Sequence, residues 1–253
     1  MKHAAVLLLL LPLWLHALTF HELQSTSQVR ITAPSVEEVR NIGRYVNACF
    51  LLVDEALGVQ GEPRSLVTVE EKTEAARVHC EELSVTFGQG AGMLEFTEAV
   101  MRVLLMRRSQ DMFAGRGAGG PLCQFMAAGL AHRQTMRVRN AWGDAPNLDY
   151  LPARFLYSNG IFPDLHKLMT APVPVDFTNL FQIYAMHCDL LITALEHLTS
   201  TKGGPRRKNT FLRELLEMDA FGRAPAEAAN FVLASHLPKG TAFSTVLVEV
   251  MVL

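Results

Sequence analysis

The chain lacks an excess of either charge: 23 lysines and arginines stand against 25 aspartates and glutamates in 253 residues. A net charge of −2 gives phosphate backbones no overall attraction, so no nucleic-acid partner is expected. Charged residues are only 19% of the chain and hydrophobic ones 49%, which excludes a disordered composition and permits one large core or two modest ones. Cysteine is sparse. Cys49, Cys80, Cys123 and Cys188 form no C-x-x-C pair, which leaves neither a zinc ribbon nor a thioredoxin-type motif. Each sits among apolar residues, where either a buried thiol or a bridge would fit. After the first 17 residues no window approaches 18 uncharged apolar residues, so no later membrane span is expected. No internal repeat suggests a solenoid.

What is present begins with Lys2, an apolar run from Ala4 to Leu15 broken by Pro12, and the small residue Ala17. These are the parts of an export signal, with cleavage expected after Ala17 and an uncleaved anchor as the alternative. The expected compartment is periplasmic or extracellular.

Residues 18–92 read as an N-terminal α/β part. Val29 and Ile31 alternate with polar neighbours across 28–32, as in a half-buried strand, and Pro34 ends it. Ser35, followed by Glu37 and Glu38, starts a helix whose apolar residues recur from Val39 to Leu57 before Gly58 stops it. Residues 65–69 read as a strand, 70–82 as a polar helix carrying Cys80, and 83–87 as a third strand. From Met93 to the C-terminus the pattern is mostly helical: a buried segment at 93–106, a glycine-rich break at 115–120, and helices at 122–139, 164–169, 178–198, 210–218 and from Pro225. The expected fold class is α+β, a small mixed sheet with helices followed by a helical part.

Three segments carry a resemblance. Leu94-Glu95-Phe96-Thr97-Glu98-Ala99-Val100-Met101 is similar to the zinc helix of gluzincin metallopeptidases of the peptidase MA-like type, whose core is H-E-x-x-H. The proline-led stretch from Pro121 through Ala128-Gly129-Leu130-Ala131 resembles that family's helix with an E-G-L-A turn. The run from Tyr184 through Gly203-Gly204 to Leu215 resembles its later helices. The resemblance implies a zincin-like architecture. It also implies that Thr97 and Met101 stand at the two histidine positions, Ala128 at the third ligand, and Glu98 at the general base. A hydroxyl, a thioether and a methyl group do not hold zinc at neutral pH. Without the ion, water keeps a pKa of about 15.7, which a lone carboxylate does not overcome. The implied reading is a catalytically inactive pseudoenzyme with no zinc cofactor, whose remnant cleft binds a peptide or partner protein.

Other readings stay open. His132 lies one turn after Ala128, where it would approach Glu98 and serve an unconventional, metal-independent hydrolase. His21-Glu22 lacks a second histidine, since Ser25 stands there; His187 and His197, ten residues apart, fall on different helical faces. His79-Cys80 reads as structural. Between residues 102 and 154, eight arginines (Arg102, Arg107, Arg108, Arg116, Arg133, Arg137, Arg139, Arg154) face only Asp111, Asp144 and Asp149. That excess suggests a solvated helix face, or an arginine-rich surface on an envelope interaction protein.

Overall fold

The structure, a computed structural model, describes residues 21–24, 28–72, 75, 77–141, 150–170, 173, 179–203 and 210–236. The expected signal segment, most of the loop after residue 141 and the basic stretch 205–208 lie outside them. The N-terminal part holds β1 (His21–Gln24), β2 (Val29–Ala33), α1 (Val36–Leu57), β3 (Val67–Glu71), β4 (His79–Glu81) and β5 (Ser84–Phe87). The strands form one mixed sheet in the order β1-β2-β3-β5-β4. β2, β3 and β5 run parallel, while β1 and β4 pair antiparallel at the two edges. The helical part follows with α2 (Met93–Met112), α3 (Pro121–Ala141), α4 (Leu151–Ser158), α5 (Leu165–Thr170), α6 (Asn179–Gly203), α7 (Thr210–Ala220) and α8 (Pro225–His236). The fold is therefore α+β, as expected.

Local chemistry sets the clearest boundaries. Ser35 Oγ accepts the Glu38 backbone N–H at 3.1 Å and donates to the Glu38 carboxylate at 2.6 Å, closing the start of α1. Gly58, at φ 63°, ends it in the left-handed conformation with its N–H turned back to Asp54 and Glu55 carbonyls. Val29, Ile31 and Ala33 alternate inward along β2, and Val67, Val69 and Glu71 along β3.

Residues 70–82 do not form the expected helix. Glu82, at φ 44°, reverses the chain, and Cys80 lies opposite Val85 in a short hairpin. Hairpin pairing with β5 outweighs the helix-favouring composition of a segment that has no apolar stripe to bury. β1 was not foreseen either: three polar residues and one leucine give no readable alternation, and only the edge of β2 organises them.

One hydrophobic cluster spans both parts. Val29, Ile31, Val67, Val69 and Val85 from the sheet share it with Leu52 and Val53 of α1, Val100 and Leu104 of α2, and Leu215 of α7. Each fully buried side chain of this size contributes roughly 2 kcal/mol. α2 and α3 are buried around most of their circumference, because α3 packs on α2 on one side and α6 on another.

Polar clamps fix these helices. Arg108 donates to both Asp54 carboxylate oxygens, at 2.7 and 2.5 Å, tying α2 to the end of α1. Asp219 at the end of α7 accepts the backbone N–H of Gly120 at 2.7 Å and of Leu122 at 3.3 Å, capping α3 from a distant part of the chain. A Cβ at position 120 would stand 2.5 Å from that carboxylate, so the glycine-rich break ends in a residue chosen for space.

The arginine excess divides: Arg102, Arg107, Arg108 and Arg133 are largely covered, while Arg116, Arg137, Arg139 and Arg154 stay exposed. Arg107 and Arg108 are buried, Arg102 meets Glu98, Arg133 meets Asp189 and Glu196, and Arg137 meets Glu55. Their partners come from helices outside residues 102–154 in three of these cases, which a local count of charge does not reveal.

Candidate functional site

Thr97, Glu98 and Met101 lie on α2 and Ala128 on α3, and all four are buried. The Thr97 hydroxyl donates to the Met93 carbonyl at 2.6 Å, so its contact with Tyr45, also 2.6 Å, is one in which the phenol donates to it. Neither Met101 nor Ala128 offers a hard donor. This set does not fit a zinc ion, which takes imidazole, thiolate or carboxylate ligands.

Glu98 is 1% exposed and engaged by its own helix. Arg102, one turn on, donates through Nε at 3.0 Å to one carboxylate oxygen, and through one terminal nitrogen at 2.5 and 2.7 Å to both. Burial raises the Glu98 pKa, and the Arg102 charge and hydrogen bonds only partly offset that rise. A general base needs a proton donor of the substrate or a water within reach. Here both oxygens are already taken by a guanidinium.

His132 does not join Glu98. Among the described residues its polar partner is Asp189 of α6, with Nδ1 3.0 Å from Oδ2. Asp189 also accepts from Tyr150 at 2.8 Å and from Arg133 Nε at 2.8 Å, while Arg133 reaches on to Thr193 at 2.9 Å and Glu196 at 3.1 Å. Burial alone would raise the Asp189 pKa; the Arg133 charge, His132 and Tyr150 outweigh it and hold the carboxyl below its usual range. The Tyr150 ring meets the imidazole edge-on at 5.4 Å. Position 129 permits this arrangement: a Cβ there would stand 2.7 Å from Ile192 Cδ1 and 3.0 Å from the Asp189 nitrogen, so α3 and α6 touch backbone to backbone.

Two hollows flank α3. One, of about 960 Å³, opens beyond the carboxyl ends of β3 and β5, where Glu71, Phe87, Gly88 and Gln89 meet Ile42 and Tyr45 of α1, Phe96 of α2, and Gln134 and Val138 of α3. Burial raises the Glu71 pKa, and nearby Glu38 adds to the rise. The other, of about 480 Å³, is lined by Leu94, His132, Thr135, Met136, Arg139, Pro152, Asn179, Gln182, Ile183 and Met186. Helical spacing explains the division: 134 and 138 share one stripe of α3, while 132, 135, 136 and 139 share another.

The remaining expectations fall out individually. His187 accepts or donates one hydrogen bond with Tyr157 at 2.7 Å, and burial pulls its pKa down to about 4. The His197 side chain lies outside the described residues. All four cysteines are free thiols, with Cys49, Cys123 and Cys188 buried. Cys80 is partly covered and burial pushes its thiol up to about 11. Among the described residues no helix is long and apolar enough to cross a membrane. Asp189 escaped the sequence reading, although a lone acid inside the apolar run from Ala185 to Leu195 was a signal that it needed a partner.

No protein-family model matches the chain, and no curated protein matches it in sequence.

Proposed function

We propose that this chain is an exported, catalytically silent gluzincin-like protein that uses the groove beyond β3 and β5 to bind an extended peptide or a segment of a partner protein. The observation that carries this reading is the state of Glu98, whose two carboxylate oxygens are held by Arg102. A side chain at a general-base position that has acquired its own counter-ion is dedicated to structure. The groove supports the binding half: Tyr45, Phe87 and Phe96 give it aromatic walls, and Glu71 and Gln89 give it polar ends. Zinc has no part in this function. Export rests on the charged and apolar character of the first 17 residues.

Metal analysis and peptide binding test it together. The purified protein should hold no stoichiometric zinc and cleave no casein, whereas the triple variant T97H/M101H/A128E should bind one equivalent if α2 and α3 keep the zincin arrangement. A peptide library should yield ligands whose binding is lost in Ile42→Lys, which places a charge in the groove. Stoichiometric zinc or proteolysis by the unaltered chain, or a library that yields no ligand sensitive to Ile42→Lys, overturns the proposal.

A further inference from the structure

The larger hollow, beyond β3 and β5, holds an acid whose charge no neighbouring cation answers. Glu71, the last residue of β3, is 5% exposed and lines the hollow together with Glu38. Burial raises its pKa and Glu38 raises it further; among the described residues only the hydrogen bond with Gln89 works the other way. The adjacent Lys72 pairs with Glu70 at 3.1 Å. Arg44, which also lines the hollow, is exposed and makes no ion pair with either acid among the described residues. Gln134 enters the same hollow from α3. It is 4% exposed, yet its side-chain amide has no hydrogen-bond partner among the described residues. A covered amide left in that state costs free energy, and an occupant that bonds to it removes the cost.

Resting on the reading of this groove as a peptide site, we propose that it selects a lysine or arginine of the bound segment, whose charged end pairs with Glu71 and Glu38 while its methylene stem lies along Phe87, Phe96 and Tyr45. The register of the sheet joins these groups. Glu71 stands opposite Phe87 in the parallel pairing of β3 with β5. The Phe87 ring centre lies 4.5 Å from that of Phe96, and Phe96 lies 6.0 Å from Tyr45. A buried acid that opens on a run of aromatic rings suits an organic cation, which gains from both the carboxylate and the ring faces. A metal ion is the poorer occupant: the rings offer it no ligands, and among the described residues no group of three or more His, Cys, Asp and Glu could hold one. About 960 Å³ leaves room for main chain on either side of the basic residue, where the Gln134 amide meets a polar partner.

The test is selection of short random peptides on the full chain, followed by affinity measurements on the selected peptides by fluorescence anisotropy. Those lost in Ile42→Lys should share a lysine or arginine at one position, and norleucine there should weaken binding roughly tenfold. Glu71→Gln should remove the preference for the basic residue over norleucine and leave the norleucine peptide's affinity unchanged. Glu38→Gln should reduce the preference in part, whereas Glu37→Gln, an exposed acid of α1 outside the hollow, should leave it intact. Ligands lost in Ile42→Lys that share no basic residue, or a preference that survives Glu71→Gln, overturn this assignment and leave the peptide groove standing. A selection that yields no ligand lost in Ile42→Lys overturns both.

Discussion

Two buried carboxylates, each paired with an arginine, teach opposite lessons. Glu98 meets one arginine that keeps 27% of its side chain in solvent, and burial leaves its pKa above the usual value. Asp189 meets a guanidinium, an imidazole and a phenol, and its pKa lies below the usual value. The fold supports the charge on Asp189 and merely tolerates the charge on Glu98. An ionised group that has several donors aimed at it is held by a network; one that has a single basic partner depends on that partner alone.

Substitution makes the contrast measurable. Asp189→Asn should be the most damaging, about 3 to 5 kcal/mol in denaturant unfolding, because Arg133 is left with buried charge uncompensated on that side. Values below about 1 kcal/mol would show the network to be ornamental. Glu98→Gln should change stability at neutral pH by about 1 kcal/mol or less, since Arg102 can turn to water and the neutral amide escapes the desolvation that the carboxylate suffers. Thr97→Val should cost about 1 kcal/mol, the hydrogen bond from Tyr45, and leave the fold intact.

Acidity separates the two carboxylates by sign. Asp189 has a depressed folded pKa, so its contribution is present above the ordinary aspartate value of about 3.9 and is lost as pH falls through the folded value. Glu98 has a raised folded pKa, so its contribution is complete below the ordinary glutamate value of about 4.3 and is lost as pH rises through the folded value. The difference in unfolding free energy between the unaltered chain and Asp189→Asn should therefore shrink on acidification. The same comparison for Glu98→Gln should move in the unaltered chain's favour, and matching slopes for the two variants would remove the distinction.

Sequence and structure agree where information is local. Ser35 and Gly58 mark the ends of α1 because a cap and a left-handed terminus each need one residue type at one place. The alternation in β2 and the long helices of the C-terminal part are read from period alone. β4 is not, since a three-residue edge strand exists only through its pairing with β5. The candidate site divides the same way. Thr97, Glu98, Met101 and Ala128 are picked out by the resemblance of their segments, but Arg102's hold on Glu98 and the link from His132 to Asp189 depend on rotamers and on residues 57 apart in the chain. Part of the arginine cluster misleads for that reason: the counter-charges of Arg108 and Arg133 arrive from other helices.

Gly129 carries one more consequence. The missing methyl group lets the third and sixth helices meet at their main chains, and the imidazole and its aspartate then stand opposite one another less than a turn away. Alanine there, though it alters no polar atom, should act as a wedge. It would prise the two rods apart and unlatch His132 without touching it, so the alignment of that ring is decided by the smallest side chain in its neighbourhood.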